Sequence, residues 1–212
     1  MTLVKKISTG LAVACLALGA TSGAGNPAFA DNGESDFIAV YIAPDGSELV
    51  YNPEKNNETE ISLRSFNPQG EFSGPTWAAC GIKDPSDKLV HQYTAGSTPM
   101  GPEFLRKPNL RCGNEKFGYR HIKLEHKNDW KALANRVGGD WRDFASFAIQ
   151  SSLETPQKAC LGDENDIRYI GMIEIRRSNG LAGEKYYPRV PVGKDTNNII
   201  TAFPQKVSAG CP

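Results

Sequence analysis

The chain has three histidines, and two of them, His121 and His126, fall within the segment Gly118-Tyr-Arg-His-Ile-Lys-Leu-Glu-His126. Around them stand Arg120, Lys123 and Lys127. Imidazole is the side chain whose ordinary pKa lets it accept and return a proton near neutrality. Two imidazoles beside fixed positive charge are the set that acid–base cleavage of a phosphodiester requires. Their spacing does not by itself bring them together. Five residues of α-helix turn the second ring by about 140° from the first, and along a strand the same spacing reverses the face. A helix ending or a bend between them would be needed. The spacing also argues against zinc, since a helical histidine pair for a metal sits at i and i+4. No metal and no cofactor is expected.

The elements that must position these residues read as follows. Phe37–Ile42, a turn at Pro44–Ser47 and Glu48–Tyr51 form a hairpin, and Ile61–Phe66 alternates as a third short strand. From Asn67 to Pro108 the chain is rich in Gly and Pro and reads as loop, with a boundary near Pro75. After the histidines, Asn128 or Asp129 can cap a helix running to about Arg136, stopped by Gly138-Gly139. Asp140 can cap the next, in which Trp141, Phe144, Ala145, Ala148 and Ile149 share one face. Three strands follow: Ile167–Ile175, Lys185–Val192 (an edge strand, by its prolines) and Asn197–Phe203. The expected fold is α+β, with N-terminal helices packed on a C-terminal antiparallel sheet. Residues 31–75 would form a small β-rich segment ahead of the 76–212 domain.

The first residues bound the compartment. Lys5 and Lys6, the apolar run Leu11–Leu18 and the ending Ala28-Phe-Ala30 make a secretory signal, cut after Ala30. Its apolar run is too short to span a bilayer. The expected mature protein is therefore secreted, monomeric and without a membrane anchor. Lys5 and Lys6 leave with the signal and no acid does, so 22 bases and 24 acids give a formal charge of −2. Coating nucleic acid through bulk positive charge is excluded by that balance, and an anionic substrate must be gripped locally. Four cysteines remain, Cys80, Cys112, Cys160 and Cys211. An even count in an exported chain reads as two disulfides. Of three pairings, Cys80–Cys112 with Cys160–Cys211 staples each half of the chain.

Taken singly, Thr201, Arg176 and the tryptophans are ordinary strand, surface and core residues. Together, Gly-Tyr-Arg-His-Ile-x-x-x-His at 118–126, a Trp-containing helical region and Ile-Thr-Ala-Phe-Pro at 200–204 resemble a known pattern. It is that of bacterial secreted RNase toxins of the barnase–EndoU–colicin–RelE grouping, whose last strand often reads Thr-[Ser/Ala]-[Tyr/Phe]-Pro. A bacterial RNase A-like toxin family has a similar Thr-Ala-Tyr-Pro ending, though its Gly-His-Thr opening is absent here. The resemblance covers roughly residues 110–205. It implies a metal-independent endoribonuclease in which the 2′-hydroxyl attacks the adjacent phosphorus. His121 would act as base and His126 as acid, or the reverse. Lys123 or Arg120 would offset charge on the phosphorane, and the Thr201 hydroxyl would hold a non-bridging oxygen. Tyr119 or Tyr169 would stack a base, with Arg176 as a further substrate contact. An acidic immunity or inhibitor protein would be the partner, covering the 118–127 cluster. Unlike those toxins, this chain carries its own signal and no long delivery module. The competing class is a non-catalytic secreted binding or inhibitor domain with structural histidines, and the two are separated by whether His121, His126 and Thr201 converge.

Overall fold

The structure, a computed structural model, describes residues 36–53, 77–96, 107–162 and 165–208 of the 212. The expected signal peptide, the strand at Ile61–Phe66, the boundary at Pro75 and Cys211 lie outside the described residues. Among the described residues no helix is long and apolar enough to cross a membrane.

The hairpin forms as expected from β1 (Phe37–Ile42) and β2 (Glu48–Val50), closed by the Pro44–Ser47 turn. It does not stand ahead of the main sheet, however. β1 pairs antiparallel with β7 (Ile173–Arg177), from Phe37 opposite Arg177 to Tyr41 opposite Ile173. Ala39, Val40 and Tyr41 are buried, and this apolar run draws the hairpin into the sheet because burial against distant strands outweighs the cost of closing a long loop. The helices consequently lie mid-sequence, with strands before and after them.

The Gly/Pro-rich stretch contains a strand that alternation in the sequence did not reveal. β3 (Leu89–Gln92) pairs with β4 (Asn109–Arg111) as a small two-stranded sheet. Cys80 and Cys112 are disulfide-bonded, their Cα atoms 5.6 Å apart, as the stapling argument expected. Cys160 is also engaged in a disulfide.

The main sheet has seven strands, every pairing antiparallel. β5 (Lys158–Leu161) pairs with β6 (Asp166–Ile170). β6 and β7 keep one register against β8 (Glu184–Gly193), Ile170 opposite Arg189 and Ile173 opposite Tyr186. The Gly171 amide donates to the Pro188 carbonyl between them. The stretch Ile167–Ile175 is thus one strand bent at Gly171. β8 is not an edge: β9 (Phe203–Gln205) runs along its other side. Its prolines sit where the ladders are interrupted: Pro188 turns its carbonyl and its N–H-less nitrogen toward the break at Gly171, and Pro191 turns them toward the irregular segment at Ile200. Of the expected strand at Asn197–Phe203 only Phe203 is in β9, which runs on through Pro204 to Gln205; the residues before it make only isolated bridges at Asn198 and Ile199.

α3 (Trp141–Glu154) crosses this sheet against β6 and β8. Asp140 caps it, its carboxylate accepting from the Arg142 amide at 2.8 Å. The predicted face is buried, but so are Ser146, Phe147, Ser151, Ser152 and Leu153, because sheet and α2 enclose the helix from more than one side.

Candidate active site

The chain reaches the histidines through a loop that only glycine can close. Gly113 (φ 65°) and Gly118 (φ 77°) both adopt left-handed backbone. A Cβ on Gly113 would collide with the Phe117 carbonyl, and one on Gly118 with the Arg111 carbonyl. Helix α1 (Gly118–His121) begins there and passes into one turn of π-helix, Ile122–His126, before α2 (Lys127–Arg136). No side chain caps α2 at Asn128 or Asp129, because the helix enters from the π-turn and not from a loop.

That π-turn is the bend the spacing required. Its i→i+5 hydrogen bonding places residues five apart one above the other, where an α-helix would turn them apart. The His121 and His126 rings meet edge to face, with centroids 5.7 Å apart and planes at 86°. His121 Nδ1 lies 2.7 Å from the Glu115 carbonyl oxygen. A carbonyl can only accept, so Nδ1–H donates and Nε2 is left for chemistry. His126 Nδ1 lies 3.5 Å from Asp129 Oδ2, one helical turn on. The other side of the His126 ring stacks on Phe203 at 4.8 Å and 25°. Burial, the largest influence, holds the His126 imidazole below its ordinary pKa; Asp129 opposes it, and charge on His121 adds to it.

The Ile200–Phe203 segment lies along the same helices. The Gly118 amide donates to the Ile200 carbonyl, and Trp130 Nε1–H to the Ala202 carbonyl, each at 2.9 Å. Thr201, between these two anchors, is 9% exposed, and its buried hydroxyl has no hydrogen-bond partner among the described residues. Such an orphan calls for an explanation. The two stretches singled out from sequence are therefore neighbours in space. Lys123 is exposed on the π-turn and makes no ion pair among the described residues.

The remaining candidates have other work. Arg120 spends its guanidinium on carbonyls, Gly113 and Gly81 at 2.7 Å and Asp84 at 2.6 Å, and is not free for phosphate. Tyr119 is buried, stacked on Trp141 at 6.2 Å with the edge of Trp77 at 5.8 Å, so no base can lie on it. Tyr169 is wholly buried in β6, since its register turns it to the core. Arg176 forms a two-pronged pair with Glu48 across the β1–β2 hairpin, at 3.0 and 2.5 Å. His91 packs edge-on against Tyr93.

Three contributors escaped the sequence reading. Asp129 could have been found, standing at i+3 from His126 on a helix. The Glu115 carbonyl could not, because backbone acceptors carry no sequence mark. Nor could a groove of about 350 Å³ that continues from Asp129 along Leu133, Arg136, Tyr186, Pro204 and Lys206. Within it Arg136 and Lys206 share Glu184, at 3.4 and 3.9 Å.

Fold and site together define a mixed α+β protein that displays an edge-to-face histidine pair on a π-turn beside its sheet. No family model matches the sequence. Two uncharacterized proteins of Mycobacterium tuberculosis are similar to it, MT0764 of strain CDC 1551 / Oshkosh and Rv0739 of strain ATCC 25618 / H37Rv. Each is 32% identical over 149 residues, 65% of this chain and 53% of the relative. The chain thus spans about half the length of the curated relatives it matches. No solved structure matches.

Proposed function

We propose that this protein is an exported endoribonuclease that cleaves RNA by transphosphorylation, without a metal, and acts as an antibacterial toxin or a freestanding extracellular enzyme. The observation that carries the reading is the edge-to-face placement of His121 and His126, each held through Nδ1 with Nε2 left for substrate. Two imidazoles at that separation can flank one phosphodiester. The base removes the 2′-OH proton, O2′ attacks phosphorus, and the P–O5′ bond breaks as the acid protonates O5′. A 2′,3′-cyclic phosphate and a 5′-hydroxyl end result. The depressed pKa of His126 favours its neutral form and therefore the role of base, with His121 as acid. Lys123 supplies positive charge to the phosphorane, and the Thr201 hydroxyl, buried and unpartnered in the free protein, meets a non-bridging oxygen once substrate binding uncovers it. The resemblance of 118–126 and 200–204 to secreted RNase toxins points the same way.

The test is RNA against matching DNA, with EDTA present, using oxidised protein lacking residues 1–30. Cyclic-phosphate ends on RNA, intact DNA and inactive His121→Ala and His126→Ala variants are expected, because the nucleophile is the 2′-OH. The second reading, a secreted binding or inhibitor domain, is favoured by the stacking of His126 on Phe203, which a structural histidine would share. A folded, oxidised sample that leaves RNA uncut would decide for it.

A further inference from the structure

The Cys80–Cys112 disulfide and Arg120 meet at the entry to the histidine segment. Cys112 is fully buried, while Cys80 is only partly covered and so open to a small dithiol. The Cys112 carbonyl accepts from the Arg120 amide at 3.0 Å. The Arg120 guanidinium then ties the carbonyls of Gly81, next to Cys80, and of Asp84, four residues after it, to that of Gly113, next to Cys112. Gly113 opens the loop whose Glu115 carbonyl fixes the tautomer of His121, the residue next to Arg120. The 81–87 loop buries little: Ile82 is fully exposed and Gly81, Lys83, Pro85, Ser86 and Asp87 are exposed, and apart from Arg120 it is held to the other arm by hydrogen bonds alone, the Ser86 carbonyl accepting from the Gly113 amide and the Asp87 carbonyl from Arg111. Segments with few buried apolar contacts open at low free-energy cost.

We infer that the disulfide and Arg120 form one redox-dependent positioning device for His121, closed when Cys80 and Cys112 are bonded and released when they are reduced. This rests on the ribonuclease reading for its consequence, though not for its structural content. Reduction by a dithiol breaks the Sγ–Sγ bond, leaves two thiols, and converts the reductant to its own disulfide. The 80–84 segment then keeps only its hydrogen bonds to the other arm, the Gly81 and Asp84 carbonyls are no longer fixed against Arg120, and the 113–118 loop no longer holds Glu115 at His121. In a reducing compartment the histidine pair is disassembled; in an oxidising one it is set. Arg120 is thereby a positioning residue, acting through His121 and not on phosphate.

The experiment compares oxidised and dithiothreitol-reduced protein with an oxidised Cys80→Ser/Cys112→Ser variant, in which the Cys160 disulfide is kept, and with the oxidised Arg120→Ala and Arg120→Lys variants, by NMR of the histidine side chains and by RNA cleavage. On reduction the hydrogen-bonded Nδ1–H signal of His121 is lost while the His126 ring resonances and far-UV circular dichroism persist, and cleavage falls about a hundredfold, the scale of a small misplacement. Lysine at 120 keeps the charge but not the planar fork, so Arg120→Lys fails as badly as Arg120→Ala. An unchanged His121 signal after reduction would overturn the device, whatever the RNA result. Loss of the whole fold on reduction would do the same, making the bond a general staple. Full activity in Arg120→Lys would return Arg120 to a phosphate-facing role. Oxidised protein that shows the His121 change but never cuts RNA would sink the ribonuclease reading alone.

Discussion

His121 and His126 meet edge to face across a single turn of π-helix, ring centroids 5.7 Å apart and planes nearly perpendicular. The extra residue in that turn is what distinguishes it from the α-helices on either side. Deleting Leu124, which is exposed, would return the segment to α geometry with little loss of core packing. Helix content by circular dichroism should stay, the through-space NMR contacts between the two imidazoles should vanish, and RNA cleavage should fall by more than a hundredfold. A deletion variant that folds and still cuts at full rate would separate the π-turn from the chemistry.

The pH dependence of cleavage carries the assignment of roles. With its pKa lowered by burial, His126 as base is neutral and competent down to below the ordinary histidine range. The acidic limb of kcat/KM should therefore lie below about pH 6.5. Asp129 opposes the depression, so Asp129→Asn should move that limb further down and move the His126 NMR titration with it. A limb that ignores Asp129 would assign the base elsewhere.

Thr201 separates stability from function. A buried hydroxyl without a partner costs stability, so Thr201→Val should be neutral or stabilising by about 1 kcal/mol. If the hydroxyl meets a phosphate oxygen, the same change should lower kcat ten- to a hundredfold. Urea unfolding and steady-state kinetics on one preparation read both; a variant that is less stable and fully active would make Thr201 a structural residue.

His91 makes a prediction independent of RNA. Packed edge-on against Tyr93, it is pushed by burial from an ordinary pKa of 6.5 to about 4. The unfolded chain thus takes the proton first as pH falls, and stability rises with pH wherever the unfolded state binds more protons. The neutral ring is accommodated at full stability above about pH 6.5, and up to about 3 kcal/mol is lost between 6.5 and 4. His126, shifted in the same direction, adds to the loss. In His91→Phe the urea midpoint should fall less steeply across that window. An identical slope in the variant would mean that other groups govern the acid limb.

Much of the frame was written in local residue types. Two runs around a Pro-Asp-Gly-Ser turn marked β1 and β2, period-two alternation marked the β6–β7 stretch, Asp140 announced the start of α3, and Arg136 before Gly138-Gly139 announced the end of α2. These signals are legible because each depends on residues a few positions apart. The parity of the cysteines and the halving of the chain likewise reached the Cys80–Cys112 bond.

The site was different in kind. The histidines and Thr201 were visible as residue types, but the pairing of the two rings depended on an i→i+5 turn that propensity does not encode, and the approach of the Thr201 segment on a hydrogen bond across more than seventy residues, from the Trp130 indole to the Ala202 carbonyl. The same non-local packing withdrew Tyr119 and Tyr169 into the core and spent Arg120 on carbonyls and Arg176 on Glu48. A side chain's type states what chemistry it can do. Whether it is free to do it is decided by which groups the completed fold brings within hydrogen-bonding distance.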